Sequence, residues 1–355
     1  MSNHNKINHN TLIKNILYNS VAVSAFIAVG VFTGCSKKTI DVPDNSIATV
    51  SAFVGNPTNG PLDGTGAAAY FDRPIGMAFD AAGILYVVDS ENAKIRKVTP
   101  AGVVTSFTGN GTHNVTDGSP LTATFNAPYC IIVDALGNSY VSEGSHIRKI
   151  TPDGVVSTFI TNMGRPGNMT MDAAGNIYVS DFAYNAIYKI TPAGVRSLYA
   201  GGGGTGADNG AANIATFNSP GGLAFDASGN LYVSDSGNNM IRKITPAGMV
   251  STFAGTGKTG TSNGPGATAT FNFPEGIVVD AVGNIIVADK INHLVRIISP
   301  AGIVSTLAGS GGAGSVNGSG SIATFFQPLQ LAIDKQGVLY ITDTTNQIRK
   351  ITYKK

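Results

Sequence analysis

The spacing of its prolines, the content of each repeat and the phase of its two ends predict an all-β protein, a six-bladed β-propeller of four-stranded blades. Six units open at Pro74, Pro128, Pro166, Pro220, Pro274 and Pro328, with successive spacings of 54, 38, 54, 54 and 54. Self-similarity at such a period marks a solenoid, propeller or array. The clearest unit opens with Pro220-Gly-Gly-Leu-Ala-Phe-Asp226, continues through Leu231–Asp235 and Ile241–Pro246, and closes with Val250–Gly255. Four short apolar runs separated by turn signals are an all-β repeat, and four-stranded units set around an axis are propeller blades. The sixth unit stops at Ile351-Thr352-Tyr353, after its third run, whereas Val50-Ser51-Ala52-Phe53-Val54-Gly55 reads as a fourth. Gly55 stands at the same interval before Pro74 as Gly109, Gly201, Gly255 and Gly309 stand before the prolines that follow them. The N-terminal strand is therefore expected to pair with the last three and close the ring, leaving only short edges exposed.

Each element of the unit has its own local reason. The first run ends at Asp80, Asp134, Asp172, Asp226, Asp280 or Asp334, and a glycine follows three residues later. Aspartate bonds the backbone of its own turn and glycine supplies positive φ, which makes a tight hairpin. The second run ends at another acid: Asp89, Glu143, Asp181, Asp235, Asp289 or Asp343. A carboxylate repeated in every blade reads as part of the blade's construction, bonded to turn amides or to Arg96, Arg148, Arg242, Arg296 or Arg349 of the third run. A metal-binding ring is the weaker reading. Phe71, Phe125, Phe217, Phe271 and Phe325, each three residues before the next proline, are expected to plug the long connections onto the blades. The glycines of those connections lack the strand-loop-helix setting of a phosphate loop, and calcium at their Asp-Gly turns is the weaker reading, since most offer Asn and backbone oxygens where calcium prefers several carboxylates.

The pattern Pro-x-Gly-(apolar)-Asp, Gly-x-(apolar)-Tyr-Val-x-Asp, an Asn-rich turn and then Ile-Arg resembles the NHL repeat. Asn238-Asn239-Met240-Ile241-Arg242 and Asn292-His293-Leu294-Val295-Arg296 carry its last part. The resemblance spans about residues 47–353 and implies the propeller, but a fold does not imply an activity. A six-bladed relative of this repeat, the peptidyl-hydroxyglycine amidating lyase, uses a group of zinc-binding histidines. Here only His113, His146 and His293 follow residue 34, in three different units, so that activity is not carried over. No Gly-x-Ser-x-Gly nucleophile signature in a strand-turn-helix setting appears either. The expectation is a protein without catalytic residues, cofactor or metal.

Residues 1–34 read differently. Lys6 and Lys14 precede an apolar stretch from Ile16 to Phe32 and then Thr33-Gly34-Cys35. A basic head, an apolar middle and small residues are the anatomy of a secretory signal. The ending resembles the bacterial lipobox, which implies a lipid on Cys35. The expected organisation is a lipoprotein signal peptide over 1–34, a lipid-bearing tether over 35–46 and an NHL-type propeller over 47–355. The protein would then stand in the bacterial cell envelope, outside the cytoplasm, its membrane contact made through Cys35. The tether reaches at most ~35–40 Å. The whole chain carries a net charge of +2, and loss of residues 1–34 removes two lysines and no acid, leaving 21 basic against 21 acidic side chains. A neutral domain has little attraction for a phosphate backbone, so nucleic acid is not an expected partner. With Cys35 acylated, Cys130 has no mate and no disulfide is expected.

Departures from the repeat point to a site, because a pocket needs residues the scaffold does not. The connection into the third unit, Thr161-Asn162-Met163-Gly164-Arg165-Pro166, is far shorter than its counterparts, and the turn Glu143-Gly144-Ser145-His146 is shorter by two. Together these deletions account for the one drop in spacing from 54 to 38. Both fall on one face of one blade and predict a notch in the rim. Its candidate binding residues are Tyr129, Cys130, Glu143, His146, Arg165 and Asn168. Arg73, Glu275, Gln327 and Gln330, beside the unit-starting prolines, are further candidates facing the channel, where convergent polar groups mark a binding site. The expected function is a non-catalytic protein- or ligand-binding propeller anchored to the envelope, its partner an envelope protein or a small envelope ligand. One alternative is a sugar or peptide receptor using the notch. A second is a hydrolase or lyase with an unrecognised site.

Overall fold

The computed structural model describes residues 48–202 and 204–354. Cys35, the signal segment and the tether lie outside the described residues. Six antiparallel sheets follow one another along the chain: blade I (residues 74–108), II (128–160), III (166–200), IV (220–254), V (274–308) and VI (330–352 with Thr49–Val54). Within each blade the four strands lie in chain order, and the first strand contacts the first strands of both neighbouring blades, closing a ring around an axis. Blade VI is completed as the phase of the ends predicts. Thr49, Val50 and Ser51 pair antiparallel with Thr352, Ile351 and Lys350.

Local chemistry explains the hairpins. In blade IV, Asp226 Oδ1 accepts the N–H groups of Ser228 and Asn230, each at 2.9 Å, and Gly229 adopts φ +78°. Alternation along the strands then sends apolar side chains into six clusters, one for each pair of adjacent blades. The cluster between blades III and IV holds Tyr178, Ile187, Phe217, Leu223 and Val233.

The repeated acid and arginine are structural, as expected. Arg242 Nη1 donates to Asp235 Oδ2 at 2.8 Å and to Thr216 O at 3.1 Å. Its Nη2 donates to Asp208 O at 2.9 Å and to Asn209 Oδ1 at 2.8 Å. The guanidinium carbon stands 5.3 Å from the centre of the Phe217 ring, and Arg242, Asp235 and Phe217 are all fully buried. A buried ion pair is tolerable only when its remaining donors and acceptors are also bonded. Here the connection supplies acceptors for both Nη groups, leaving only Nε without a partner, so the pair bolts connection to blade. Blades I, II, V and VI repeat the arrangement with Arg96, Arg148, Arg296 and Arg349. In blades I, IV, V and VI a two-residue segment of the connection also pairs with the outer strand, as Gly210-Ala211 does with Val250-Met249. Blade II keeps a single bridge, Gly118 to Val156. Blade III, entered by the short connection, has neither device among the described residues.

Candidate ligand site at the mouth of the axial channel

The axis is built by the residues around each unit-starting proline. In five blades the residue before the proline has positive φ: Arg73 (54°), Ala127 (50°), Ser219 (49°), Phe273 (54°) and Gln327 (53°). The proline then starts the inner strand in blades I, II, IV and V, and in blade VI the strand starts two residues later at Gln330. Two residues after the proline, blades I, IV and V carry glycine because neighbouring backbone leaves no space. A Cβ on Gly76 would lie 2.7 Å from Cys130 Cα, one on Gly222 2.5 Å from Glu275 O, and one on Gly276 2.6 Å from Leu329 O. Blades II, III and VI place Cys130, Asn168 and Gln330 there instead.

Those departures bridge the ring. Gln330 of blade VI donates its Nε2 proton to Asn168 Oδ1 of blade III, directly opposite. One residue nearer the proline, the Tyr129 hydroxyl of blade II donates to Glu275 Oε1 of blade V at 2.7 Å, again across the axis. Glu275 is 2% exposed, and its Oε2 lies 3.6 Å from Lys290 Nζ. Burial, reinforced by the Glu275 charge, holds the Tyr129 hydroxyl well above its ordinary pKa, so it stays a neutral donor. Burial pushes the Cys130 thiol up to about 12. It is therefore protonated and poorly suited to nucleophilic attack, which needs the thiolate.

Above the Tyr129–Glu275 bridge a cavity of about 350 Å³ opens at the mouth, its side chains including Arg73, Ser90, Tyr129, Arg165 and Phe182. Both deletions border it, since Gly144 of the shortened turn and Arg165 of the shortened connection are lining residues. Phe182 meets Tyr129 edge-on, with ring centres 5.7 Å apart and planes at 87°, and the Arg165 guanidinium lies 5.8 Å from the Phe182 centre. Gly167 makes room for this aromatic wall, because a Cβ there would lie 2.4 Å from the Phe182 ring. Arg165 is exposed and has no ion pair among the described residues. Arg73 pairs with Glu91 at 3.0 Å, but both side chains are about half exposed. Such a pair is screened by water and weakly held.

The structure therefore divides the expected site residues. Tyr129, Arg165 and Arg73 line the mouth, with Glu275 bonded to Tyr129 at its floor. Cys130, Asn168 and Gln330 line a separate cavity beyond the bridges. Three candidates belong elsewhere. Glu143 is fully buried, pairs with Arg148 and accepts the Asn126 N–H at 2.6 Å, so it is the structural acid of blade II. His146 begins a third strand, with Nδ1 3.5 Å from Ser145 Oγ, and lines neither cavity. Gln327 donates its backbone N–H to His293 Nδ1 at 3.0 Å and also lines neither. Sequence reasoning missed Phe182. Its signal was present, since the residue after the second-run acid is Ser90, Gly144, Ser236, Lys290 or Thr344 in the other blades and aromatic only here. Among the described residues no three His, Cys, Asp or Glu side chains converge to hold a metal ion.

Comparisons with known proteins agree with this architecture. The family described as "SMP-30/Gluconolactonase/LRE-like region" matches residues 76–308. Teneurin-3 of Mus musculus is 30% identical over 208 residues, 49% of this chain but 7% of that protein. NHL repeat-containing protein 2 of Homo sapiens is 35% identical over 98 residues, 26% of this chain and 14% of that one. The chain thus spans only a small part of the curated relatives it matches. Among solved structures, an auxiliary nutrient binding protein from Bacteroides thetaiotaomicron aligns with a TM-score of 0.69 at 17% identity, over 87% of this chain and 77% of that chain. Virginiamycin B lyase from Staphylococcus aureus aligns at 0.55 and 15% identity, over 86% of this chain and 99% of that one. At such identities the structural likeness speaks for the fold alone.

Proposed function

The chain belongs to the SMP-30/gluconolactonase/LRE-like family of six-bladed propellers, and on that premise we propose that it is a binding propeller that takes a small anionic ligand at its channel mouth. The carrying observation is Arg165, a guanidinium without a carboxylate partner among the described residues, beside an aromatic wall in a cavity of about 350 Å³ that Arg73 also lines. That volume falls in the range of about 300–1,000 Å³ usual for small-molecule sites. Guanidinium forks match carboxylates bidentately, and Phe182 and Tyr129 offer apolar surface to the rest of the ligand. Below them, Tyr129 and Glu275 form a polar floor. The nutrient-binding name of one structural neighbour accords with this reading. A lipid on Cys35 would hold the propeller at a bacterial membrane, so its ligand or protein partner would belong to the envelope.

The test is thermal melting of the full chain in detergent against acidic sugars, short peptides and their neutral analogues. A ligand at a hundred times its Kd adds about 2.7 kcal/mol of stability. The expected result is a shift with anionic compounds that disappears in the Arg73→Ala, Arg165→Ala double variant. A shift that persists unchanged in that variant removes the mouth as the site, and a silent panel points to an envelope protein as the partner. Cys35→Ala should abolish incorporation of labelled fatty acid.

A catalytic reading draws on the family and on the lyase among the neighbours. It would use the Tyr129 hydroxyl as proton donor and Glu275 as base at the same mouth. Turnover of gluconolactone or virginiamycin B, abolished by Glu275→Gln, would establish it in place of simple binding.

A further inference from the structure

Each inner strand runs from the mouth to an Asp-x-x-Gly turn, so the two ends of the ring carry different loops. The turns joining third to outer strands lie beside those Asp turns, since a Cβ on Gly137 would stand 3.4 Å from Pro152 Cγ. Together they make a turn face opposite the mouth. The N-terminal strand enters the ring on that face. Gly320 donates its N–H to Ala48 O at 2.7 Å, as Gly66, Ala212 and Gly266 donate to Gly102, Gly248 and Gly302, the last residues of third-to-outer turns.

The turn face is short of charge. The middle residues of its turns are all exposed, mostly alanine and proline, and only Lys335 and Asp153 among them are charged. A surface built for water carries about 25–35% charged side chains. Leu136, 81% exposed, and Val282, 58% exposed, stand at turn tips, and the exposed Val155, Val195 and Met249 follow other turns of the same face. The turn aspartates are held inward: Asp134 Oδ1 accepts the N–H groups of Leu136 and Asn138 at 2.9 and 2.8 Å, and its Oδ2 accepts the Asn138 amide at 2.9 Å. The mouth face, by contrast, exposes Arg73, Glu91 and Arg165. An uncharged face with exposed apolar tips marks an interaction surface.

We infer that the turn face rests on a lipid bilayer, its apolar tips in the headgroup layer, so that the mouth opens away from the membrane. This rests on the lipid on Cys35 proposed above. A tether of at most ~35–40 Å leads from that cysteine to the turn face and not to the mouth, and lipid anchors are commonly joined by a second membrane contact. Lys335 and Lys354, both exposed on blade VI where the chain enters, suit lipid phosphates.

The chain has no tryptophan, so one introduced residue reports alone. Full-length Leu136→Trp and Val282→Trp report from the turn face, and Ile291→Trp, at an exposed position in the turn between second and third strands of blade V, reports from the mouth face. Each lipidated variant is added to phosphatidylcholine vesicles brominated near the top of the acyl chains. Both turn-face tryptophans should shift to the blue and lose fluorescence relative to unbrominated vesicles, while Ile291→Trp should do neither. Two reporters keep the test decisive if one variant misfolds. Chain that floats with the vesicles while its turn-face tryptophans stay unquenched, or are quenched no more than Ile291→Trp, would overturn the proposal and leave the anchor standing. A blue shift that needs no vesicles and grows with protein concentration would assign the face to a second copy instead. Failure to incorporate labelled fatty acid would overturn the anchor, and this surface with it.

Discussion

Blades III and IV share an inner half and differ in the outer one. In both, the tyrosine of the second strand donates to the aspartate of the first turn, Tyr178 to Asp172 at 3.2 Å and Tyr232 to Asp226 at 3.3 Å. On the third strand blade IV has Arg242 where blade III has Tyr188. On the outer strand the buried Val250 of blade IV becomes the exposed Arg196. The short connection into blade III explains both exchanges. Thr216, Asp208 and Asn209, which accept three of the bonds from Arg242, belong to a connection that blade III lacks. Asp181 is instead held by the N–H groups of Gly164, Arg165, Ala183 and Tyr184 at 2.8 to 3.3 Å. Val250 is buried where the Gly210-Ala211 segment pairs along its strand. At the uncovered edge, Arg196 donates to Asn162 O at 2.7 Å. The buried ion pair therefore belongs to the connection more than to the blade: the guanidinium is kept where the connection supplies acceptors for its Nη groups.

That comparison can be broken or sharpened by experiment. The largest effect is expected from Arg242→Ala, which strands the buried Asp235 carboxylate. Denaturant unfolding should show a loss of about 3–5 kcal/mol, and a loss below about 1 kcal/mol would deny the pair its role. Asp181→Ala removes the acceptor for four amides, two of them in the segment leading to the mouth, and should cost about 2–3 kcal/mol. Tyr188→Arg places a guanidinium in blade III without the connection's carbonyls and should cost about 1–2 kcal/mol. Replacing Thr161–Arg165 with a connection like that of blade IV should recover the loss, and a stabilising Tyr188→Arg by itself would refute the account.

The smallest effect concerns the shared inner half. Burial, then the Asp172 or Asp226 charge, raises Tyr178 and Tyr232 alike to about 12. A hydroxyl whose folded pKa exceeds the unfolded value of about 10 stabilises the fold fully below pH 10, and that contribution is lost as pH rises through about 12. Alkaline ultraviolet titration of Tyr178→Phe and Tyr232→Phe should remove equivalent late-ionising steps. Unequal steps would mean that the difference between the blades reaches the inner turns.

Much of this was legible beforehand for a local reason. Proline spacing, Asp-x-x-Gly turns and the phase of Gly55 each depend on contacts within one repeat or its neighbour, so the six blades and their closure follow from periodicity. The site was half legible. Departures from the repeat identified Tyr129, Arg165 and Asn168, and position beside a unit-starting proline identified Gln330; the structure brings all four to the channel or its mouth. Glu143 and His146 misled because closeness to a deletion says nothing about where a side chain points. Glu143 points into its own blade, where Arg148 needs a carboxylate regardless of chain length in the turn.

The amino-acid sequence by itself determined the blade count, the closing strand, the structural acids and which blade would differ. Only the tertiary structure decided that Tyr129 meets Glu275 and Asn168 meets Gln330, partners far apart in the chain and in opposite blades. The physical reason lies in the ring itself. Periodicity orders the blades around the axis, but which side chains reach across it depends on how closely the inner strands approach. That approach removes every Cβ at Gly76, Gly222 and Gly276 and leaves room for an amide, a thiol and a second amide in the other three blades.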